Sequence, residues 1–434
     1  MAILQQILFI LTLGFAGYFI RKRVLRIRAN IQLGKKNNIT DHRSERLTNM
    51  LLVAFGQRKM FKRFIPASLH FFIYVGFLVI NLEVLEFIID GIFGTHRIFA
   101  PYLGGFYPVA MNLFEFLAMG VLVACFSFLI RRNILKVPRF WSAEMTSWPR
   151  LDANLILITE IVLMLAILTM NACDQILQTK VDHYTSTGSL FFSSLLMPAL
   201  RNNNISTLII IDRFCWWFHI IGILGFTIYI TYSKHLHIFM AFPNTYYGKV
   251  DAKGKINNMP MVTNEVKSIL GLPGASTAPA EPGRFGAKDI NDLSWNNLMA
   301  AYSCTECGRC TSECPANLTG KKLSPRKIMM DTRDRMEEVG RSLEKNGPGL
   351  TDGKTLLNDY ITKEEINACT SCNACVEACP VLINPLEIIV ELRRYVAMEE
   401  SGSPAQWNSM FQNIETSFAP WKFSPSDRFN WAKD

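Results

Sequence analysis

Eight of the eleven cysteines fall into two runs with one spacing: Cys304, Cys307, Cys310 and Cys314 ahead of Pro315, and Cys369, Cys372, Cys375 and Cys379 ahead of Pro380. Three thiolates at intervals of three wrap one face of an iron–sulfur cube, and the fourth, held off by three residues and a proline, points to the neighbouring cluster. The spacing therefore predicts crossed ligand sets. One [4Fe–4S] cluster takes Cys304, Cys307, Cys310 and Cys379; the other takes Cys369, Cys372, Cys375 and Cys314. A zinc site would draw four ligands from two close pairs and would explain neither the third interval nor the prolines. Cys125, Cys173 and Cys215 stand alone, and none is expected to ligate a metal.

Histidines in apolar sequence carry the second chemistry, because an imidazole in hydrocarbon needs a hydrogen-bond partner or a metal. Three qualify: His70, His219 and His237. If one helix ran from His219 to His237, the 18-residue separation would be five turns, with both rings on one face about 27 Å apart and His235 roughly 160° away. That spacing suits two haem levels. The inner level is closed by His70 opposite His237, giving a six-coordinate haem b. The outer level has no evident second ligand, since the residue ten positions beyond His70 is Ile80. For His219 the options are a five-coordinate haem, a quinone contact or a hydrogen bond to a backbone carbonyl. Glu83, Glu86, Glu115 and Glu160 also lie in apolar runs, where carboxylates are costly, and are assigned no role.

Five apolar runs are long enough to cross a bilayer and would position these histidines: 2–20, 65–89, 106–130, 153–172 and 207–232. The run at 189–200 is too short to cross. The basic cluster of the first run follows it, with no small-residue cleavage pattern, so it reads as a retained anchor. Connecting segments 21–63 and 131–152 hold 18 Lys and Arg, against 3 in 91–104 and 173–206. Basic loops stay inside, which places the N-terminus outside and everything beyond residue 240 in the cytoplasm.

Charge divides the chain in the same way. The formal net charge is +9, but residues 1–240 carry 23 Lys and Arg against 12 Asp and Glu, and residues 241–434 carry 22 against 24. The basic excess therefore belongs to membrane loops, and nucleic acid is excluded as a partner. Residues 241–292 gather Pro, Gly, Ala and Lys and read as a linker. Between the quartets, Ser324 and Pro325 open a helix with Ile328, Met329 and Met336 on its apolar side; Asn384 and Pro385 open a second. The expected architecture is all-α. It consists of a transmembrane haem b and quinone domain at 1–240, the linker at 241–292, a helical two-cluster ferredoxin domain at 293–400 and a tail at 401–434.

The segments CTECGRCTSECP and CTSCNACVEACP, with their following helices, resemble the α-helical ferredoxin domain of heterodisulfide-reductase-like iron–sulfur oxidoreductases. WWFHIIGILGFTIYITYSKHLHIF is similar to the end of the five-helix cytochrome b subunit of respiratory nitrate reductase and its heterodisulfide-reductase relatives. The resemblance implies haem b ligated from the second and fifth helices, with His70, His219 and His237 at matching positions and Ile80 departing from the pattern. It also implies electron exchange between a membrane quinone pool and cytoplasmic clusters. Relatives often continue into modules with paired adjacent cysteines. No cysteine follows Cys379 here, so the substrate chemistry is expected on a cytoplasmic cysteine-rich or other oxidoreductase partner, docked by the tail at 401–434 unless its aromatics instead cover the cluster domain. The function that follows is an electron-transfer subunit of a bacterial or archaeal cytoplasmic membrane. The alternatives are a membrane-tethered ferredoxin without haem, and an assembly scaffold in which the quartets are structural.

Overall fold

The computed structural model describes residues 2–182, 184–252, 254–274, 284–347 and 352–433. Among the described residues the chain is helical, and β-structure is limited to two isolated bridges. Five helices are long and apolar enough to cross a membrane: α1 (Ala2–Ile31), α2 (Phe64–Phe93), α3 (Phe106–Leu129), α4 (Ser147–Leu177) and α5 (Ile205–Ile230). They coincide with the five expected runs, and most extend past the apolar stretch. Uniform hydrophobicity has a simple cause: one face of each helix meets its neighbours and the other meets lipid. On α1, Phe9 is buried while Ile3, Leu4, Leu11 and Phe15 are exposed.

Packing closes a ring in which α1 meets α2 and α5, α2 meets α3, α3 meets α4, and α4 meets α5. The loops at one end of the ring face the cysteine-bearing domain. There Arg63 bonds Glu313 (2.8 Å) and Arg23 at the end of α1 bonds Glu337 (2.6 Å). Both contacts come from the first of the two lysine- and arginine-rich segments, and Arg326 of the cysteine domain reaches the second through Glu144 (2.7 Å).

The opposite end is closed by a buried polar knot. Arg97 contacts Glu83 (3.1 Å), Asp174 (3.3 Å) and Asn171 (2.6 Å). Glu86 accepts from Tyr107 Oη (2.7 Å), and Glu115 accepts from the backbone of Phe192 and Ser193. Glu83, Glu86 and Glu115, which the sequence left without a role, thus join Asp174 in fastening α2, α3 and α4 to the loops at this end. An Arg97→Met variant would leave Glu83 and Asp174 buried without their cation. The expected cost is roughly 3–5 kcal/mol, read as a lower unfolding temperature of the detergent-solubilised protein.

The helix does not run on from His219 to His237. α5 ends at Ile230, the chain turns, and α6 (His237–Tyr246) starts afresh. Ser233 ends the run because its side chain accepts from the His235 N–H, while Asp152 of α4 accepts from Ser233 Oγ (2.6 Å) and from the Lys234 N–H (3.2 Å). The five-turn extrapolation therefore fails, and with it the expected direction of His235. That ring comes 5.3 Å from His237 instead of pointing away.

The expected linker is also more structured than its composition implies. It contains the end of α6 and the helix α7 (Pro260–Ile269), and Ala287 and Ile290 are fully buried in the core of the cysteine domain. Residues 275–283 of the expected linker lie outside the described residues. The cysteine domain follows as α8 (Trp295–Ser303), α9 (Pro325–Asn346), α10 (Pro385–Met398) and α11 (Ala405–Ser417). Ser324 caps α9 through the Lys327 N–H and Asn384 caps α10 through the Glu387 N–H, as their side chains dictate. Ile328, Met336, Ile388 and Leu392 turn fully inward.

Candidate iron–sulfur and haem sites

Each quartet is carried on a loop that wraps tightly because two residues take left-handed backbone conformations. These are Glu306 (φ 56°) and Gly308 (φ 71°) in the first, and Ser371 (φ 56°) and Asn373 (φ 60°) in the second. They flank the middle cysteine at equivalent positions, so both loops bend in the same way. Short helices then follow: Arg309–Ser312 and Pro315–Leu318 after the first, Ala374–Ala378 after the second.

The fold brings the fourth cysteine of each run to the other run. Cys304, Cys307, Cys310 and Cys379 line one cavity together with Pro380, Val381 and Ile383. Cys375 has Cys369, Cys314 and Cys372 as its electrostatic neighbours. Among the described residues no three His, Cys, Asp or Glu side chains converge closely enough to hold a single metal ion. Burial pushes the Cys304 and Cys375 thiols up to about 12 and Cys379 up to about 11. Backbone amides point at the sulfurs: Ser371 N–H donates to Cys369 Sγ (3.4 Å) and Ile383 N–H to Cys379 Sγ (3.3 Å). Such bonds are one means by which a protein sets a cluster potential.

Charge around the first quartet is buried and paired. Glu306 bonds Lys234 and Arg333. Burial pushes its carboxyl up, but Arg333 and Lys234 outweigh burial and hold it below the usual range. Arg326, with no exposed surface, bonds Glu144, Ser142 and the carbonyls of Arg139 and Glu306. It joins the cluster loop to the loop after α3. Arg326→Met is expected to loosen that joint, so limited proteolysis should cut between residues 136 and 146 at least tenfold faster, as expected when roughly 1.4 kcal/mol or more of local protection is lost.

His70, His235 and His237 gather at the same end. The rings of His70 and His237 lie 6.4 Å apart between centroids, at 42° to each other. Two imidazoles binding one metal from opposite sides at about 2 Å put their ring centres about 6 Å apart, so the pair fits a bis-histidine haem. In each ring Nδ1 is the engaged nitrogen, with Gln57 Oε1 for His70 (3.0 Å) and the Lys234 carbonyl for His237 (3.2 Å). This is how metal-binding histidines are commonly oriented, leaving Nε2 for the metal. His219 lies in the middle of the ring of helices, fully buried, with Nδ1 3.0 Å from the Leu163 carbonyl and Nε2 buried without a partner. The carbonyl option is realised, and Nε2 remains available. Ile80 is buried among apolar neighbours.

One segment touches both His70 and the first cysteine loop. Gln57, itself in a left-handed conformation (φ 52°), holds His70. Two and three residues further on, the carbonyls of Lys59 (3.4 Å) and Met60 (3.5 Å) approach Arg309 of the first cysteine loop. Nothing in the sequence marks Gln57 or Lys234, because their roles depend on loops meeting across the domain boundary. The isolated cysteines Cys125, Cys173 and Cys215 are buried in the membrane bundle. In the tail, Phe418, Trp421, Phe423, Phe429 and Trp431 are exposed, so these aromatics do not cover the cluster domain.

Residues 303–383 match the family of 4Fe–4S dicluster domains. This chain is thus a membrane protein carrying an iron–sulfur electron-transfer domain. It is 27% identical over 99% of its length to a protein of Bacillus subtilis named probable iron-sulfur-binding oxidoreductase, covering 61% of that relative. It is 26% identical over 90% of its length to the EtfAB:quinone oxidoreductase of Syntrophomonas wolfei, covering 54% of it. Over 35% of its length it is 32% identical to a probable membrane-anchored ferredoxin of Chromohalobacter salexigens, covering 24% of it. The chain therefore spans less than two thirds of the length of each of these relatives. No solved structure matches it.

Proposed function

We propose that the chain conducts electrons between a membrane quinone or quinol and a cytoplasmic oxidoreductase partner, using a haem b held by His70 and His237 and two [4Fe–4S] clusters held by the crossed cysteine sets. When bound, these groups supply one-electron transfer; the protein supplies position and surroundings. Gln57 and the Lys234 carbonyl orient the two imidazoles. Asp152 fixes the turn that presents His237, and Lys234 in that turn bonds Glu306 of the first cysteine loop. The observation that carries the reading is this shared scaffold, in which the histidine pair and the first cysteine set are supported by the same short segments. The similarity to an EtfAB:quinone oxidoreductase supports the quinone link. A cytoplasmic side for the clusters is supported by their contact with the lysine- and arginine-rich loops. The exposed aromatic tail offers the partner an apolar face.

Similarity of the cluster region to a membrane-anchored ferredoxin favours a second reading, a tether without haem. Extracted pyridine haemochrome separates the two. The first reading expects about one haem per chain, and a ratio near zero selects the tether.

A further inference from the structure

Two arginines beside the first cysteine set, Arg309 and Arg139, have no carboxylate partner among the described residues. Their neighbours do. Arg63 is paired with Glu313 (2.8 Å) and Arg326 with Glu144 (2.7 Å), while Glu306 of the cysteine loop is matched by Lys234 and Arg333. Arg309 is 6% exposed and lines the same cavity as Cys304, Cys307, Cys310 and Cys379. Its guanidinium reaches neutral groups, the carbonyls of Lys59 (3.4 Å) and Met60 (3.5 Å). Arg139 packs on the loop at Gly308, where an added Cβ would lie 3.3 Å from its own, and its Nε is buried without a hydrogen-bond partner.

A buried cation without an anion is costly, so the fold implies a negative group that it serves. Burial pulls the Arg309 guanidinium below its usual range, and the groups that oppose this are the thiols of Cys307 and Cys379. Both belong to the first crossed set. Reducing a cluster adds one electron, and with it one negative charge, to the set that holds it; burial disfavours that charge and a neighbouring cation favours it. The first set is the more enclosed. Its Cys304 and Cys379 are buried and its Cys307 and Cys310 half-buried, whereas Cys372 of the second set is exposed. Burial alone would therefore make the first cluster the harder of the two to reduce. We propose that Arg309, assisted by Arg139, is the counter-cation of the first cluster and raises its reduction potential against the cost of burial. The inference rests on the two-cluster reading above and names the residues that balance it.

The test is a potentiometric titration with dithionite of the detergent-solubilised full chain carrying its clusters, followed by electron paramagnetic resonance. The signal lost in Cys379→Ser marks the first cluster, and the second cluster is the reference within each sample. In Arg309→Met the reduced-to-oxidised ratio of the first cluster is expected to fall, relative to the second, by roughly tenfold or more, which is about 59 mV for one electron. Arg309→Lys keeps the charge and should stay within about threefold of wild type. Should Arg309→Met lose iron from the first set, Arg139→Met carries the measurement, with an expected fall of roughly threefold or more. A first-cluster midpoint unchanged in both Met variants overturns the proposal. So does an equal shift in Arg309→Lys and Arg309→Met, which would trace the effect to packing and not to charge, or an equal shift of the two clusters. A wild type without two [4Fe–4S] signals overturns instead the two-cluster reading itself.

Discussion

In a Cys379→Ser variant, the damage is expected at the first cysteine set and not at the second. Cys379 belongs to the second run in sequence but shares a cavity with Cys304, Cys307 and Cys310. Removing it takes the fourth thiolate from that group, while Cys369, Cys372 and Cys375 keep Cys314 close by. About half of the iron and sulfide should be lost, or one cluster should convert to a three-iron form with a distinct paramagnetic signal. Cys314→Ser should give the reciprocal loss. Double variants separate crossed from uncrossed ligation: Cys304→Ser with Cys379→Ser should retain one cluster intact, whereas uncrossed sets would leave both damaged. Iron content and electron paramagnetic resonance of the dithionite-reduced protein read the outcome.

The second large effect concerns the imidazole pair. On the proposed reading, His237→Ala should abolish the reduced-minus-oxidised α-band of haem b, because His237 is one of the two residues that would hold the haem. His70→Ala should do the same. His235 lies 5.3 Å from His237, yet His235→Ala should keep the band, since the 6.4 Å separation suited to a shared metal is that of His70 and His237. A Gln57→Leu variant tests the support of His70 more gently. It removes the bond to Nδ1 and should weaken haem retention by roughly 10–100-fold, measured by competition with apomyoglobin.

Much of this was legible before the structure. Twenty apolar residues have few alternatives to a membrane span, so all five helices were found, and the caps at Ser324 and Asn384 announced α9 and α10. The cysteine spacing encodes both the loop and the proline that turns the fourth thiol away, and the fold brings Cys379 beside Cys304, Cys307 and Cys310. What failed was extrapolation along a helix that was not continuous. Ser233 and Asp152 break the chain after Ile230, and neither residue signals a break when read alone, since the bond between them spans 81 positions. The same limit hid Gln57, Lys234 and the polar knot around Arg97. Each is an isolated polar residue in sequence and becomes meaningful only when helices bring partners together. Composition likewise misread the linker, where Ala287 and Ile290 are small or lone apolar residues that complete a distant core.

The most direct test is anaerobic rapid mixing of the dithionite-reduced full chain, freed of excess reductant, with a short-tailed naphthoquinone, following cluster reoxidation in wild type and in His237→Ala. Conduction through the histidine pair requires the clusters of wild type to be reoxidised on mixing and those of His237→Ala to remain reduced at least a hundredfold longer. Equally fast reoxidation in the two proteins would contradict it.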